Sequence, residues 1–92
     1  MRIDVLCCDE DTELHIWSRH RATFREAEEA ALQNRLIMRG RSEGIYEIYG
    51  RAEAGRYLTV IVRYLGNCVA QLVTARDMSW AERRRYERHT AN

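Results

Sequence analysis

RYLTVIVRYLGNCVAQLVTARDMSWAERRRYER, residues 56–88, decides how this chain folds. It holds two β-rich runs, Arg56 to Leu65 and Cys68 to Arg76, separated by Gly66-Asn67, a dipeptide suited to a two-residue hairpin loop. A loop symmetric about that dipeptide sets Leu65 opposite Cys68, Arg63 opposite Ala70, Ile61 opposite Leu72, Thr59 opposite Thr74 and Tyr57 opposite Arg76, all on one side of a sheet. The other side carries Leu58, Val60, Val62, Tyr64, Val69, Val73 and Ala75, with Gln71 its only polar member, and is the side expected to meet helices. Tyr57, Thr59, Arg63, Thr74 and Arg76 are then left on an open or half-open surface.

Downstream, Ser79-Trp80-Ala81-Glu82 fits a capping box, in which a hydroxyl and a carboxylate satisfy each other's backbone donors, and predicts a helix from about Trp80 to His89. Its Arg83, Arg84 and Arg85 project about 100° apart, with Arg88 returning near Arg84. Two readings stay open for it: a solvated helix laced by Glu82 and Glu87, or a contact for nucleic acid or a protein partner.

Upstream, Thr23-Phe24-Arg25-Glu26 is a second capping box and predicts a helix from about Phe24 to Asn34 with Phe24, Ala27, Ala30 and Ala31 facing inward. An earlier helix carries Leu14, Ile16, Trp17 and His20, with Thr12 or Asp11 as its cap. Ile3 to Cys7 reads as a strand. Leu36 to Arg39 and Ile45 to Tyr49 are short strands joined by the turn residues Gly40 to Gly44.

The chain has 92 residues, no proline, no low-complexity segment and no repeat, so one domain over 1–92 is expected. Hydrophobic residues at 46% and charged residues at 32% fit a folded chain. With no run long enough to span a membrane and no secretory leader, the expected compartment is the cytoplasm. Cys7, Cys8 and Cys68 form neither an even set nor a CxxC pair, which argues against a disulfide framework or zinc site and for space-filling roles.

Net charge is +1, unevenly spread: residues 1–53 hold eight arginines and eleven acids, residues 54–92 seven arginines and three acids. All fifteen Lys+Arg residues are arginine. Codon bias is one origin of that pattern. Its chemical consequence holds regardless: arginine grips phosphate in a bidentate fork but stays protonated, so histidine is the only cationic side-chain type here that can accept a proton near neutrality.

No phosphate-cradling glycine loop, nucleophile elbow or HExxH is present, and His15 and His20, five residues apart, do not share a helix face for one metal. RNA cleavage needs none of these. The substrate supplies its own 2′-hydroxyl nucleophile, and the protein need only position the strand, stabilise phosphorane charge and move a proton. On that chemistry Arg63 and Arg76 are candidates for charge stabilisation, His20 for proton transfer and Tyr57 for orientation or donation. A histidine bonded at a helix end and an Arg76 salt bridge to Asp77 or Glu82 are the structural alternatives.

The chain resembles the BrnT family of type II toxin–antitoxin ribonucleases. HIWSRHRATFREAEEA (residues 15–30), GRYLTVIVRYLG (55–66) and VTARDMSWAERRRYER (73–88) carry the resemblance, the last most specifically through Thr-Ala-Arg followed by Glu-Arg-Arg-x-Tyr. His20 stands where the family has the histidine of a His-Gly-Val stretch, Arg76 is the arginine of its Ala-Arg element, and Glu82, Arg83 and Tyr86 fall on its terminal Glu-Arg-x-x-Tyr pattern. Arg21-Ala22 replaces the glycine and valine.

The resemblance implies a compact RelE/BrnT-like α+β domain: an antiparallel sheet, N-terminal helices on one face and a C-terminal helix. It implies a metal-independent, cofactor-free endoribonuclease that arrests translation, with His20 and Arg76 at its catalytic positions and Arg83 and Tyr86 on its terminal motif; the phosphodiester chemistry adds Arg63 and Tyr57 as catalytic candidates, and the basic residues Arg56 and Arg84 are expected on the RNA with Arg83 and Tyr86. The implied partner is a BrnA-like antitoxin with a ribbon-helix-helix DNA binder, through which alone DNA is met; no membrane is involved. The alternatives are a non-catalytic module of that fold, binding antitoxin or nucleic acid, and an oligomerising protein whose Tyr46, Tyr49, Tyr57 and Tyr64 line a strand edge.

Overall fold

The first helix begins earlier than its apolar residues suggest. In the computed structural model, which describes residues 1–90, Asp9 is the cap, its Oδ1 accepting from the Thr12 amide at 2.7 Å. Thr12 and Asp11 lie inside the helix α1, Glu10–His20, because three acids in its first turn favour the positive end of the helix. Strand β1, Val5–Cys7, precedes it. Arg21 closes α1 in the left-handed region at φ 51°, and its amide donates to the Trp17 carbonyl at 2.9 Å.

Thr23 then opens α2, Phe24–Leu32, through the expected reciprocal box: the Thr23 amide donates to Glu26 at 3.0 Å and the Glu26 amide to the Thr23 hydroxyl at 3.1 Å. The helix stops at Leu32, short of Asn34. Ala27, Ala30 and Ala31 are fully buried, and their small size lets the helix backbone lie directly on the sheet. The approach is so close that a Cβ on Gly50 would sit 1.8 Å from the Ala30 carbonyl oxygen.

Strands β2 (Leu36–Arg39), β3 (Ile45–Arg51), β4 (Tyr57–Gly66) and β5 (Val69–Asp77) follow, then helix α3, Trp80–Thr90. The sheet order is β1-β5-β4-β3-β2; every pairing is antiparallel except β1 with β5, which is parallel.

The β4–β5 register differs from the symmetric expectation. Thr59, not Tyr57, lies opposite Arg76, and Ile61 opposite Thr74, while Arg63 faces Gln71 and Tyr64 faces Ala70. Two residues are extra. Leu65 bulges out next to the loop, whose central residues are Asn67 and Cys68 at φ 53° and 63°, both positive as a type I′ turn requires. Val73 bulges between Thr74 and Leu72. A one-residue slip exchanges faces, so the second bulge lets Ala70 and Leu72 enter the core and turns the Gln71 amide out. Beyond the bulge, Thr74 and Arg76 return to the expected face.

The core therefore lies on one side only. Ile16 of α1 and the alanines of α2 pack with Ile48, Leu58, Val60, Val62, Ala70, Leu72 and Ala75, and Ile3, expected within the first strand, joins them from just before β1. The opposite side carries Ile45, Glu47, Tyr49 and Arg51 of β3, Tyr57, Thr59, Ile61 and Arg63 of β4, and Gln71, Thr74 and Arg76 of β5, as their pairings require. Helix α3 crosses part of this second face.

The four tyrosines do not line one edge. Tyr46 and Tyr64 meet edge to face at 6.4 Å on the core side, Tyr49 is buried on the other side, and Tyr57 stands beside α3.

Candidate nucleic-acid interface

Strand pairing sets Tyr49, Thr59 and Arg76 in one row across the second face, and α3 delivers Glu82 onto that row. The Ser79 capping box explains the delivery. The Ser79 amide donates to Glu82 Oε1 at 2.8 Å, and the Glu82 amide to Ser79 Oγ at 3.2 Å, which fixes the first turn of α3 beside the end of β5. Arg76 then donates to both carboxylate oxygens, Nη1 to Oε1 at 2.7 Å and Nη2 to Oε2 at 2.8 Å, and the Thr59 hydroxyl donates to Oε1 at 3.0 Å.

These bonds, led by that from Arg76, outweigh partial burial and hold Glu82 ionised, its pKa lowered from 4.5 to about 2. Burial pushes the Tyr49 hydroxyl up. Arg76 Nη1 also donates to the Asp77 carbonyl at 3.2 Å, yet its side chain remains 38% exposed.

Two residues further along β4, about 7 Å away, Tyr57 pairs with Arg51. The Arg83 guanidinium carbon lies 3.9 Å from the Tyr57 ring centroid and that of Arg51 4.9 Å from it, while Tyr86 meets the same ring edge-on at 5.9 Å. Tyr86 is buried, and its hydroxyl donates to the Asn34 carbonyl at 2.8 Å. Its first role is thus to anchor α3. Arg84 is fully on the outside of α3, with no side-chain bond to any described residue.

Arg63 shares the face with Arg76 but stands in the Gln71 row, four residues along β4 from Thr59, or about 13 Å. Between the two lies a small hollow lined by Arg41, Ile45, Glu47, Ile61 and Arg76.

His20 and Arg56 lie elsewhere. His20 ends α1 on the core side of the sheet, its ring meeting His15 edge to face at 6.1 Å despite the five-residue spacing. Arg56 bonds the backbone there: Nη2 donates to the His20 carbonyl and Nη1 to the Arg21 carbonyl, both at 2.5 Å, and Nε donates to Asp77 at 2.7 Å. This hydrogen bond leads the lowering of the Asp77 pKa. Arg56 therefore completes the end of α1 and is three-quarters buried in doing so. These bonds compete with the RNA contact expected of Arg56.

The face thus brings together Tyr57, Arg76, Arg83 and Tyr86, and leaves out His20 and Arg56. Arg51, absent from the expected set, belongs with it; its pairing with Tyr57 across the loop 52–56 was the available clue.

No family model matches the chain, and neither does any curated protein. Among solved structures, the crystal structure of the Brucella abortus ribonuclease toxin BrnT matches with a TM-score of 0.68, covering 82% of this chain and 96% of that one at 14% identity. The likeness shows the fold: a mostly antiparallel five-stranded sheet with three helices, the last C-terminal, arranged as in a BrnT-like toxin. Among the described residues no helix is long and apolar enough to cross a membrane.

Proposed function

We propose that this chain is the toxin of a type II toxin–antitoxin pair, an endoribonuclease that cuts RNA without a metal and arrests translation in the cytoplasm. The observation that carries the reading is the Arg76 guanidinium, held by Glu82 on the open sheet face with Arg83 and Arg51 one row away. The likeness of fold to a ribonuclease toxin supports it. In this mechanism the 2′-hydroxyl gives its proton to solvent water as its oxygen attacks the adjacent phosphorus, and the bond to the 5′-oxygen breaks to leave a 2′,3′-cyclic phosphate and a 5′-hydroxyl. Arg76 meets the charge that develops on the phosphorane oxygens, Arg83 and Arg84 draw the strand onto the face, and Tyr57 orients it or donates to the leaving oxygen. Arg63 serves positioning further along the strand. His20 takes part only if the RNA reaches round the sheet to the end of α1. A BrnA-like antitoxin with a ribbon-helix-helix domain is the proposed partner, and DNA is met through it.

The test is induction in a bacterial host with and without the product of the neighbouring reading frame. Arrest relieved by the neighbour is expected, and Arg76→Ala should abolish arrest. Because that change strips Glu82 of its partner, Arg76→Lys serves as the folded comparison: a cation still faces the carboxylate, but the fork is gone. A folded Arg76→Lys protein as toxic as the wild type excludes a forked phosphate contact.

A second reading has its own observation. Both Nη atoms of Arg76 already point at Glu82, and none of the strand residues on that face is a histidine, as a non-catalytic binding module would have it. RNA affinity that falls with salt, with no cleavage products over hours, would favour it.

A further inference from the structure

We infer that Arg51, Tyr57 and Arg83 form a subsite for a backbone phosphate of single-stranded RNA, separate from Arg76, in which Tyr57 is a platform and the arginines are the ligands. The inference rests on the RNA-binding reading above and assigns it a second phosphate position.

Both guanidinium groups lie close to one aromatic ring, at 4.9 and 3.9 Å from its centroid, and neither is hydrogen-bonded to a carboxylate among the described residues. A guanidinium stacked on a ring uses its π face and leaves N–H edges free, which is the geometry that grips phosphate. Arg83 approaches Glu87 only at 4.0 Å, outside hydrogen-bond range. Arg51 spends its Nε on the Gly55 carbonyl at 3.2 Å, and both of its Nη groups are without a bonded partner among the described residues.

That one bond also fixes where Arg51 points. The loop after β3 is closed by the Gly55 amide donating to the Ala52 carbonyl at 2.8 Å and the Ala52 amide to the Arg56 carbonyl at 2.9 Å. Gly55 sits at φ 107°, where other residues are strained, and a Cβ there would come 3.4 Å from Arg51 Nη2. Loop and side chain are therefore set before a ligand arrives, which lowers the entropic cost of binding.

Charge selects the side on which the phosphate lies. The larger groove, toward Asn34 and Thr90, is walled by Glu53 and Glu87. The hollow on the other side, about 440 Å³, is lined by Arg51, Arg56, Arg83, Tyr57 and Met78, and its one carboxylate, Asp77, is already paired with Arg56. An anion entering there meets Arg51, which no carboxylate pairs among the described residues, and Arg83, whose ion pair with Glu87 is a loose one at 4.0 Å, at the end of the row next to Arg76. Such spacing fits successive phosphates of one strand.

The experiment measures binding of a deoxyribose single-stranded oligonucleotide, which lacks the attacking hydroxyl, across a salt series, beside cleavage of the ribose version. Arg51→Ala and Arg83→Ala should each weaken binding roughly five- to ten-fold and lower the slope of log affinity on log salt by about 0.7. Tyr57→Phe, which keeps the ring, should bind as the wild type does, whereas Tyr57→Leu should lose about as much as both arginine changes together. Thermal melts of each variant identify any that fail to fold. Wild-type affinity and slope in a folded Arg51→Ala protein, or no binding by the wild type, overturns the subsite. If that variant also cleaves ribose oligonucleotide normally, the subsite fails while the nuclease reading stands. Binding with the expected losses but no cleavage by the wild type upholds the subsite and removes the nuclease.

Discussion

The two faces of the sheet use the same residue type for opposite ends. On the helix-covered face Arg56 is consumed by two carbonyls and Asp77, and nothing of it is left for a ligand. On the other face Arg76 bonds Glu82 and the Asp77 carbonyl but stays 38% exposed, and Arg51 and Arg83 rest on an aromatic ring. An arginine count cannot separate the two. What separates them is how many carbonyls and carboxylates reach each guanidinium, which depends on residues as far apart as His20 and Arg56.

The covered face should be the intolerant one, and Gly50→Ala tests it most severely. A single methyl group there meets backbone at 1.8 Å, so α2 and β3 must part. The expected loss is at least about 3 kcal/mol, read from urea unfolding, or failure to fold. A folded Gly50→Ala protein of ordinary stability would mean that α2 sits further from the sheet than described.

Much of this was legible from residues alone. Both capping boxes, the inward alanines of α2, Leu36 to Arg39 as a strand and the grouping of Tyr57, Thr59, Arg63, Thr74 and Arg76 on one face all follow from pattern and period. The register did not. Val73 is β-branched and looks like any strand residue, so nothing local marks it as the extra one, and Cys68 is an unexpected occupant of a positive-φ position. The structural bonds of Arg56 are hidden for a similar reason: its partners lie 35 and 36 residues away and are backbone carbonyls, which carry no sequence signature.

Next in size is the carboxylate that holds the open face together. Since Glu82 has its pKa lowered to about 2 in the folded protein, its contribution is fully present above its ordinary value of 4.5 and disappears as pH falls toward 2. Allowing for the exposure of Arg76, that contribution is about 2 kcal/mol. Glu82→Gln should therefore unfold more easily at pH 7 by that amount, and the gap between variant and wild type should close in acid. Asp9 and Asp77 are shifted in the same direction, but they are common to both proteins and drop out of the difference. A gap independent of pH would mean that Glu82 acts by packing and capping, not by its charge.

The smallest effect belongs to Arg21, where the resembling family carries glycine. Its φ of 51° costs an ordinary residue strain that glycine escapes, while its guanidinium stands 5.4 Å from the Trp17 ring and returns part of that cost. Arg21→Gly should accordingly gain no more than about 0.5 kcal/mol in urea unfolding. Its value lies in the comparison with growth arrest. Glycine leaves the open face untouched but loosens the residue after His20, so toxicity unchanged by Arg21→Gly keeps the chemistry on the Arg76 side. Altered toxicity at equal stability would instead bring the end of α1, and with it His20, into the mechanism from the covered face.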